Sequence, residues 1–313
     1  MLKNNCYTGD RVTGPIRSSI FWRRPLPHAP SRRDFSMLIQ ACVGCPNSSR
    51  GLTLSPSSAG FALCLYQRVL SYDDVIQRLI PEVEYHQNRY ARGLGDLVQP
   101  RCRWLDVGAG TKVHDGWIGI NEKDLADRAD LLVGCDMVET HLSRNQLIKG
   151  AAVADAAHLP FANGSFDLVT ANMVLEHVED PYVVFAEVAR VLAPAGLFVF
   201  VTPNVRNPLV RLASVVLSRK VRKELAHLID GRENEHIFHT FYRANSRSVI
   251  RDLCQRVSLR LREVDAFNSY PNIRFWPLTV IEALWIKAIT RGPFNEFTSN
   301  LFGVLEKPAQ PCD

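Results

Sequence analysis

From residue 103 onward, short apolar runs alternate with amphipathic stretches, and few folds accept that rhythm. Strand-like runs fall at 103–107 (RWLDV), 130–136 (DLLVGCD), 151–155 (AAVAD), 166–171 (FDLVTA) and 197–202 (LFVFVT). Helical spacing occupies 121–129, 139–148, 172–178 and 181–193. In the last of these Val184, Phe185, Val188, Val191 and Leu192 share one face, and Ala195-Gly196 ends it. Buried strands separated by helices predict an open α/β fold: a mostly parallel sheet with helices on both faces. A helix at 245–256, a strand near 258–266 and a final strand near 300–306 follow. Upstream, 67–92 carries helical spacing interrupted by Pro81.

The net charge of +5 raises the question of an anionic partner, and its location answers it. Residues 1–60 hold eight Lys and Arg residues against Asp10 and Asp34, a balance of +6 that leaves −1 for the remainder. The main domain, expected over 66–313, is therefore near neutral and shows no basic, aromatic-lined surface, which argues against nucleic acid. The segment 1–60 is rich in Ser, Pro and Arg without an apolar period, and is expected to be a mostly disordered basic leader. A transit peptide, an upstream start and a solvated extension remain open for it. No run approaches the ~18–20 apolar residues of a membrane span, and no secretory signal is visible. Eight cysteines lack a disulfide-framework spacing, which suits a reducing, cytoplasmic setting. Cys42-x-x-Cys45 has no second pair or histidine cluster to complete a metal site, so no metal is expected.

The chemistry concentrates at Trp104-Leu105-Asp106-Val107-Gly108-Ala109-Gly110-Thr111, a strand running into a glycine turn. Without Cβ atoms, the backbone of such a turn approaches a ligand closely at the carboxyl edge of the sheet. The dinucleotide pattern needs a third glycine where Val113 stands, which argues against NAD. The next strand ends on Asp136, a carboxylate able to accept from two vicinal ribose hydroxyls.

Four further segments make the pattern specific: Asp155-Ala156-Ala157-His158-Leu159-Pro160-Phe161, Gly164-Ser165-Phe166-Asp167-Leu168-Val169, Leu175-Glu176-His177-Val178, and Arg190-Val191-Leu192-x-Pro194-x-Gly196. In this order and spacing over 103–204, the chain resembles the type 11 family of class I S-adenosylmethionine (SAM) dependent methyltransferases. The resemblance implies a Rossmann-like sheet of seven strands, mostly parallel with the last antiparallel. It also implies SAM as cofactor. Asp106 and the turn of Gly108, Ala109 and Gly110 would flank its methionine part. Asp136, followed by Met137, would hold the ribose, Asp155 and the Ala156 amide the adenine, and Asn172 would lie near the amino-acid end. Leu159-Pro160-Phe161 reads as a packed turn. The chain departs from the family at Lys112, where a third motif glycine would fall, in a longer stretch around 114–117, and at Met173, where quinone-type members commonly carry Glu.

A hydroxyl acceptor benefits from a general base, and the histidines near the fourth strand and beyond it supply candidates: His177, His236 and His239. Tyr85 and Tyr90 could line the mouth. Two segments exceed a minimal sheet, one a basic amphipathic stretch at 207–229 and one an apolar stretch at 276–289, as insertions near 205–240 and 270–295. They favour a bulky or amphipathic acceptor, whether a small molecule, a glycan or a lipid-linked group, and allow peripheral membrane contact. O-methylation leads, with N- or C-methylation and a degenerate SAM-binding scaffold as rivals.

Overall fold

The structure, a computed structural model, describes residues 19–22, 72–81, 83–113, 121–211, 238–271, 276–290 and 294–309. The chain divides into two compact units, residues 24–83 and residues 1–23 with 84–313. The smaller contributes helix α1 (Tyr72–Leu79), which ends just before Pro81. Cys42, Cys45, His236, the stretch 114–117 and the segment 212–229 lie outside the described residues.

The larger unit is built on one sheet. Its strands are β1 (Ser19–Trp22), β2 (Arg103–Val107), β3 (Leu131–Asp136), β4 (Gly150–Val153), β5 (Phe166–Asn172), β6 (Leu192–Pro203), β7 (Arg260–Phe267) and β8 (Asn300–Glu306). Their order is β1-β4-β3-β2-β5-β6-β8-β7. The run from β4 to β6 is parallel, and β8 lies antiparallel between β6 and β7. The seven expected strands are thus all present, six in one direction and the last reversed.

An eighth strand departs from the sequence reading. Ser19–Trp22, inside the leader expected to be unpatterned, pairs antiparallel with β4, Ser19 opposite Val153 and Trp22 opposite Gly150. Ile20, Phe21 and Trp22 are strand formers. A four-residue strand is too short to declare a period, and its partner lies about 130 residues away in sequence.

Side chains alternate across the sheet and define two cores. Leu105, Val107, Val133, Phe198 and Phe200 face one side, covered by α5 (Pro181–Val191) and α6 (Arg247–Arg256). Trp104, Leu132, Leu168, Val199 and Val201 face the other. That side is covered by α2 (His86–Leu97), α3 (Glu122–Arg128) and α4 (Glu139–Arg144). Tyr90 and Leu94 of α2 are fully buried there. Helix α7 (Trp276–Thr290) lies between β7 and β8 in the chain.

Two helices are shorter than their spacing suggests. The stretch 172–178 holds only one 3-10 turn, Leu175–His177, because Met173 takes φ 55° and breaks a right-handed helix at once. Helix α4 stops at Arg144 because Asn145 is fully buried with tertiary duties. Its Nδ2 donates to the Ala109 carbonyl at 3.1 Å and its Oδ1 accepts from the Leu147 amide.

Candidate active site

The order β4-β3-β2-β5 sets the carboxyl ends of four consecutive strands side by side, and the predicted residues sit there. Gly108 and Gly110 follow β2 with φ +67° and +47°, a backbone region that L side chains rarely adopt. A Cβ on Gly108 would stand 2.4 Å from Val174 Cγ2, so the corner packs directly against the chain leaving β5. A Cβ on Gly110 would meet nothing nearer than 3.8 Å, so this second glycine faces space a ligand can enter. The Gly108 and Ala109 amides both donate to the Cys135 carbonyl, at 2.7 and 3.0 Å.

Asp136 links the turn to β3. Its Oδ2 accepts from the Gly110 amide at 3.0 Å and its Oδ1 from the Val138 amide at 2.8 Å. A carboxylate offers about four acceptor directions, so two remain for hydroxyls. His141 Nδ1 stands 3.7 Å from Oδ1. Met137, next along, is 56 % exposed, a large apolar side chain left uncovered beside the corner. Asp155 follows β4 and closes its own turn, Oδ1 accepting from the Ala157 amide at 2.9 Å; Ala156 lies within that turn. The three aspartates share one neighbourhood. Burial pushes the Cys135 thiol up to about 12, and the carboxylates of Asp136, Asp155 and Asp106 all push in the same direction.

Asp106 is buried on the α2 side of the sheet, 2 % exposed. Thr170 Oγ1 donates to its Oδ1 at 2.6 Å, and Trp104 Nε1 donates to Thr170 Oγ1 at 2.7 Å. Burial lifts its carboxyl to about 7 against the restraint of the Thr170 hydrogen bond, with Asp136 and Glu122 adding to the rise. Tyr90, which could have lined the mouth or packed in the core, is wholly buried. Burial, then Asp106, drives its hydroxyl well above the ordinary range. Aromatic residues on an apolar helix face are core more often than lining, and Tyr90 follows that rule. Tyr85 is half-buried, its ring centroid 4.4 Å from that of His86.

Asn172 closes β5 with its amide committed to protein. It exchanges hydrogen bonds with Gln87 of α2, at 2.8 and 3.2 Å, and donates to the Val113 carbonyl at 3.2 Å. It therefore pins the loop after the glycine turn and the start of α2 to the strand end.

The two histidines come together although 62 positions separate them. His177 Nδ1 lies 2.9 Å from the His239 carbonyl oxygen, and a carbonyl only accepts, so Nδ1 carries the proton of the neutral ring. Its Nε2 stands 3.9 Å from Glu176 Oε1. His239 is exposed, its ring edge-on to Phe241.

Sequence reasoning missed four residues here: Thr170, Gln87, Glu176 and Asn145. Each acts through a partner distant in the chain and none carries a local motif, although Glu176 stood in a quoted segment without a role. The loop 155–165 is held from beneath by another long-range set. Arg190 donates to the Leu159 and Phe161 carbonyls at 2.8 and 2.7 Å, while Glu187 accepts from Arg190 and from the Leu159 amide. Leu159 is buried and Phe161 meets Phe166 edge-on, as a packed turn requires. Among the described residues no group of His, Cys, Asp and Glu is placed to hold a metal ion, and no helix is long and apolar enough to cross a membrane.

A glycine corner tied to an aspartate on the neighbouring strand, under a sheet with one reversed strand, agrees with the fold that the resemblance to class I methyltransferases implies. Residues 105–200 match the family model described as a methyltransferase domain. Over that segment the chain is similar to methyltransferase domains. It is 38% identical over 96 residues to malonyl-[acyl-carrier protein] O-methyltransferase of Hahella chejuensis, covering 29% of this chain and 33% of that protein. It is 36% identical over 141 residues to ubiquinone biosynthesis O-methyltransferase of the same organism, covering 40% of this chain and 53% of that protein. The chain thus spans between a third and about half the length of these relatives. A solved S-adenosylmethionine dependent methyltransferase from Mesorhizobium loti aligns with TM-score 0.45 at 20% identity, covering 69% of this chain and 95% of that one.

The site's own geometry fits the cofactor. Gly110 leaves open space, Asp136 keeps acceptor capacity for hydroxyls, and Met137, next to Asp136 in the chain, offers an uncovered apolar surface. A buried carboxylate, Asp106, stands behind the corner where a cationic group would be stabilised.

Proposed function

We propose that this protein transfers the methyl group of SAM to the oxygen of a small-molecule acceptor. One observation carries the reading: Asp106, Asp136 and Asp155 converge from consecutive strands on a single glycine corner, and the Gly110 amide binds Asp136 directly. When bound, SAM supplies a methyl group on a sulfonium, activated for in-line displacement. The chain's residues do the rest. Asp136 and Asp155 would hold the nucleoside by its hydroxyls and amino group, with Met137 beside Asp136. The 108–110 corner and Asp106 would hold the cationic end. Holding the two reactants in line supplies on the order of 7 kcal/mol or more of barrier reduction.

His177 serves as the base for the acceptor hydroxyl. Its Nε2 would take up the proton that the acceptor hydroxyl releases on receiving the methyl group SAM would supply. His239 contributes by its backbone carbonyl, which fixes the tautomer. The names of the relatives, which methylate at oxygen, support this choice of acceptor atom.

The acceptor is read as bulky or amphipathic, such as a glycan or a lipid-linked group. Supporting this, Ile281, Leu284 and Trp285 on α7 are exposed, at the helical spacing that makes one apolar face. The same face suits transient contact with a membrane surface. Cys102, Cys135 and Cys254 are free thiols, in keeping with a reducing compartment such as the cytoplasm.

Calorimetry with SAM tests the cofactor assignment. Asp136→Ala is expected to weaken binding by about 1–3 kcal/mol, the scale of hydrogen bonds to a charged acceptor. An unchanged dissociation constant would remove Asp136 from the site. Labelled SAM incubated with the protein and cell extract, followed by mass spectrometry, identifies the acceptor; transfer of no label refutes the activity.

A further inference from the structure

Glu176 is a buried carboxylate that the reaction as described leaves unused. Only 6 % of its side chain is exposed, yet it sits one residue from the candidate base and both ends of it are engaged. Thr202 Oγ1 donates to Oε2 at 3.0 Å, and Asn245 Nδ2 donates in turn to Thr202 Oγ1 at 2.7 Å. This chain runs from α6's approach, through β6, into the 3-10 turn after β5. Thr202 and Asn245 are both buried, so the carboxylate's orientation is set from inside the protein. Meanwhile the Glu176 carbonyl accepts from the Phe241 and Tyr242 amides at 2.7 and 3.1 Å. These bonds lay the segment 238–242 across the turn and bring the His239 carbonyl to His177 Nδ1.

The consequence lies on the other side of the ring. With Nδ1–H committed to a carbonyl, the nitrogen available to gain a proton is Nε2. Glu176 Oε1 is 3.9 Å from it. A carboxylate at that distance, shielded from water, favours the imidazolium over the neutral ring. Among the described residues, Glu179, Asp180 and Arg243 are the other charged groups of the turn and of the segment across it, and His239 is the other imidazole. The Arg243 guanidinium donates to the Glu179 carbonyl at 2.7 Å and lies over the Phe241 ring.

We propose that Glu176 is the positioning residue for His177: its main chain fixes the tautomer through the 238–242 segment, and its carboxylate stabilises the imidazolium formed when Nε2 receives the acceptor's proton. This rests on His177 being the base, and it makes the turn a three-part device of carbonyl, imidazole and carboxylate.

Nitrogen-15 spectra of the full-length protein test it without any methyl transfer. In the neutral ring of His177 the proton should reside on Nδ1, and in Glu176→Gln the midpoint of the ring's titration should move to lower pH by about a unit. Thr202→Val is the second variant. It frees the carboxylate while retaining its charge, so it should leave more of the neutral ring in the Nε2–H form and move the midpoint less than Glu176→Gln. A neutral ring protonated on Nε2 in the wild type, or a titration that Glu176→Gln leaves in place, overturns the proposal. If both spectral results hold but His177→Ala retains full transfer activity, the pairing stands and the assignment of His177 as base fails.

Discussion

Asp106 makes the stability of this protein fall as pH rises through the weakly acidic range. Burial lifts its carboxyl from 3.8 to about 7 in the folded chain. Between those values the folded state keeps the proton that the unfolded state has released. Folding therefore binds a proton there, and stability declines with pH until the folded carboxyl itself ionises. The displacement, at about 1.36 kcal/mol per unit, amounts to about 4 kcal/mol lost between pH 4 and pH 7.5. Asp106→Asn cannot ionise, and its Oδ1 still accepts from Thr170. The variant should match the wild type near pH 4 and exceed it by about 2–4 kcal/mol near pH 8. Asp167 and Glu187 have carboxyls held below their ordinary range by Arg103 and Arg190 respectively, so their contribution still grows at the acidic edge of this range, is complete above it, and is common to both proteins. Urea denaturation of both proteins without SAM, followed by circular dichroism from pH 4.5 to 8.5, measures the difference. Equal pH slopes for wild type and variant would show that Asp106 is ionised in the folded protein and would refute the reasoning. On the proposed function a bound sulfonium favours the ionised form, so SAM affinity should rise with pH up to about 7 and then level.

Four other changes probe separate parts of the structure. Gly108→Ala combines a positive φ with a Cβ 2.4 Å from Val174 Cγ2 and should cost about 2–4 kcal/mol of stability in chemical denaturation; a loss below 1 kcal/mol would mean the corner is loosely packed. Gly110→Ala meets only open space and should cost about 1–2 kcal/mol of stability while reducing SAM affinity more than tenfold, measured by calorimetry. Arg190→Leu removes the donors to the Leu159 and Phe161 carbonyls and to the part-exposed Glu187 carboxylate, and should lower stability by about 1–3 kcal/mol, with an unchanged denaturation midpoint counting against that network. Deleting residues 1–24 uncovers the edge of β4 over Gly150–Val153; size-exclusion chromatography should then show concentration-dependent self-association, and a strictly monomeric product would show that β1 guards nothing.

The sequence by itself determined the sheet. Seven strands and their alternation with helices follow from apolar run lengths and helical spacing, which are local properties of the chain, and the reversal of the last strand was implied by the family resemblance. The carboxyl-edge location of Asp106, Asp136 and Asp155 was legible for the same reason, since a residue ending a strand is named by the strand. Tertiary structure decided everything that depends on a partner far along the chain. It found β1 a place against β4, buried Tyr90 behind Asp106, and turned Asn172 toward Gln87. It also set the His239 carbonyl and the Glu176 carboxylate on opposite nitrogens of His177. A hydrogen bond across 60 or 80 residues leaves no period or spacing in the sequence, because its geometry exists only once the sheet has brought both ends to one edge.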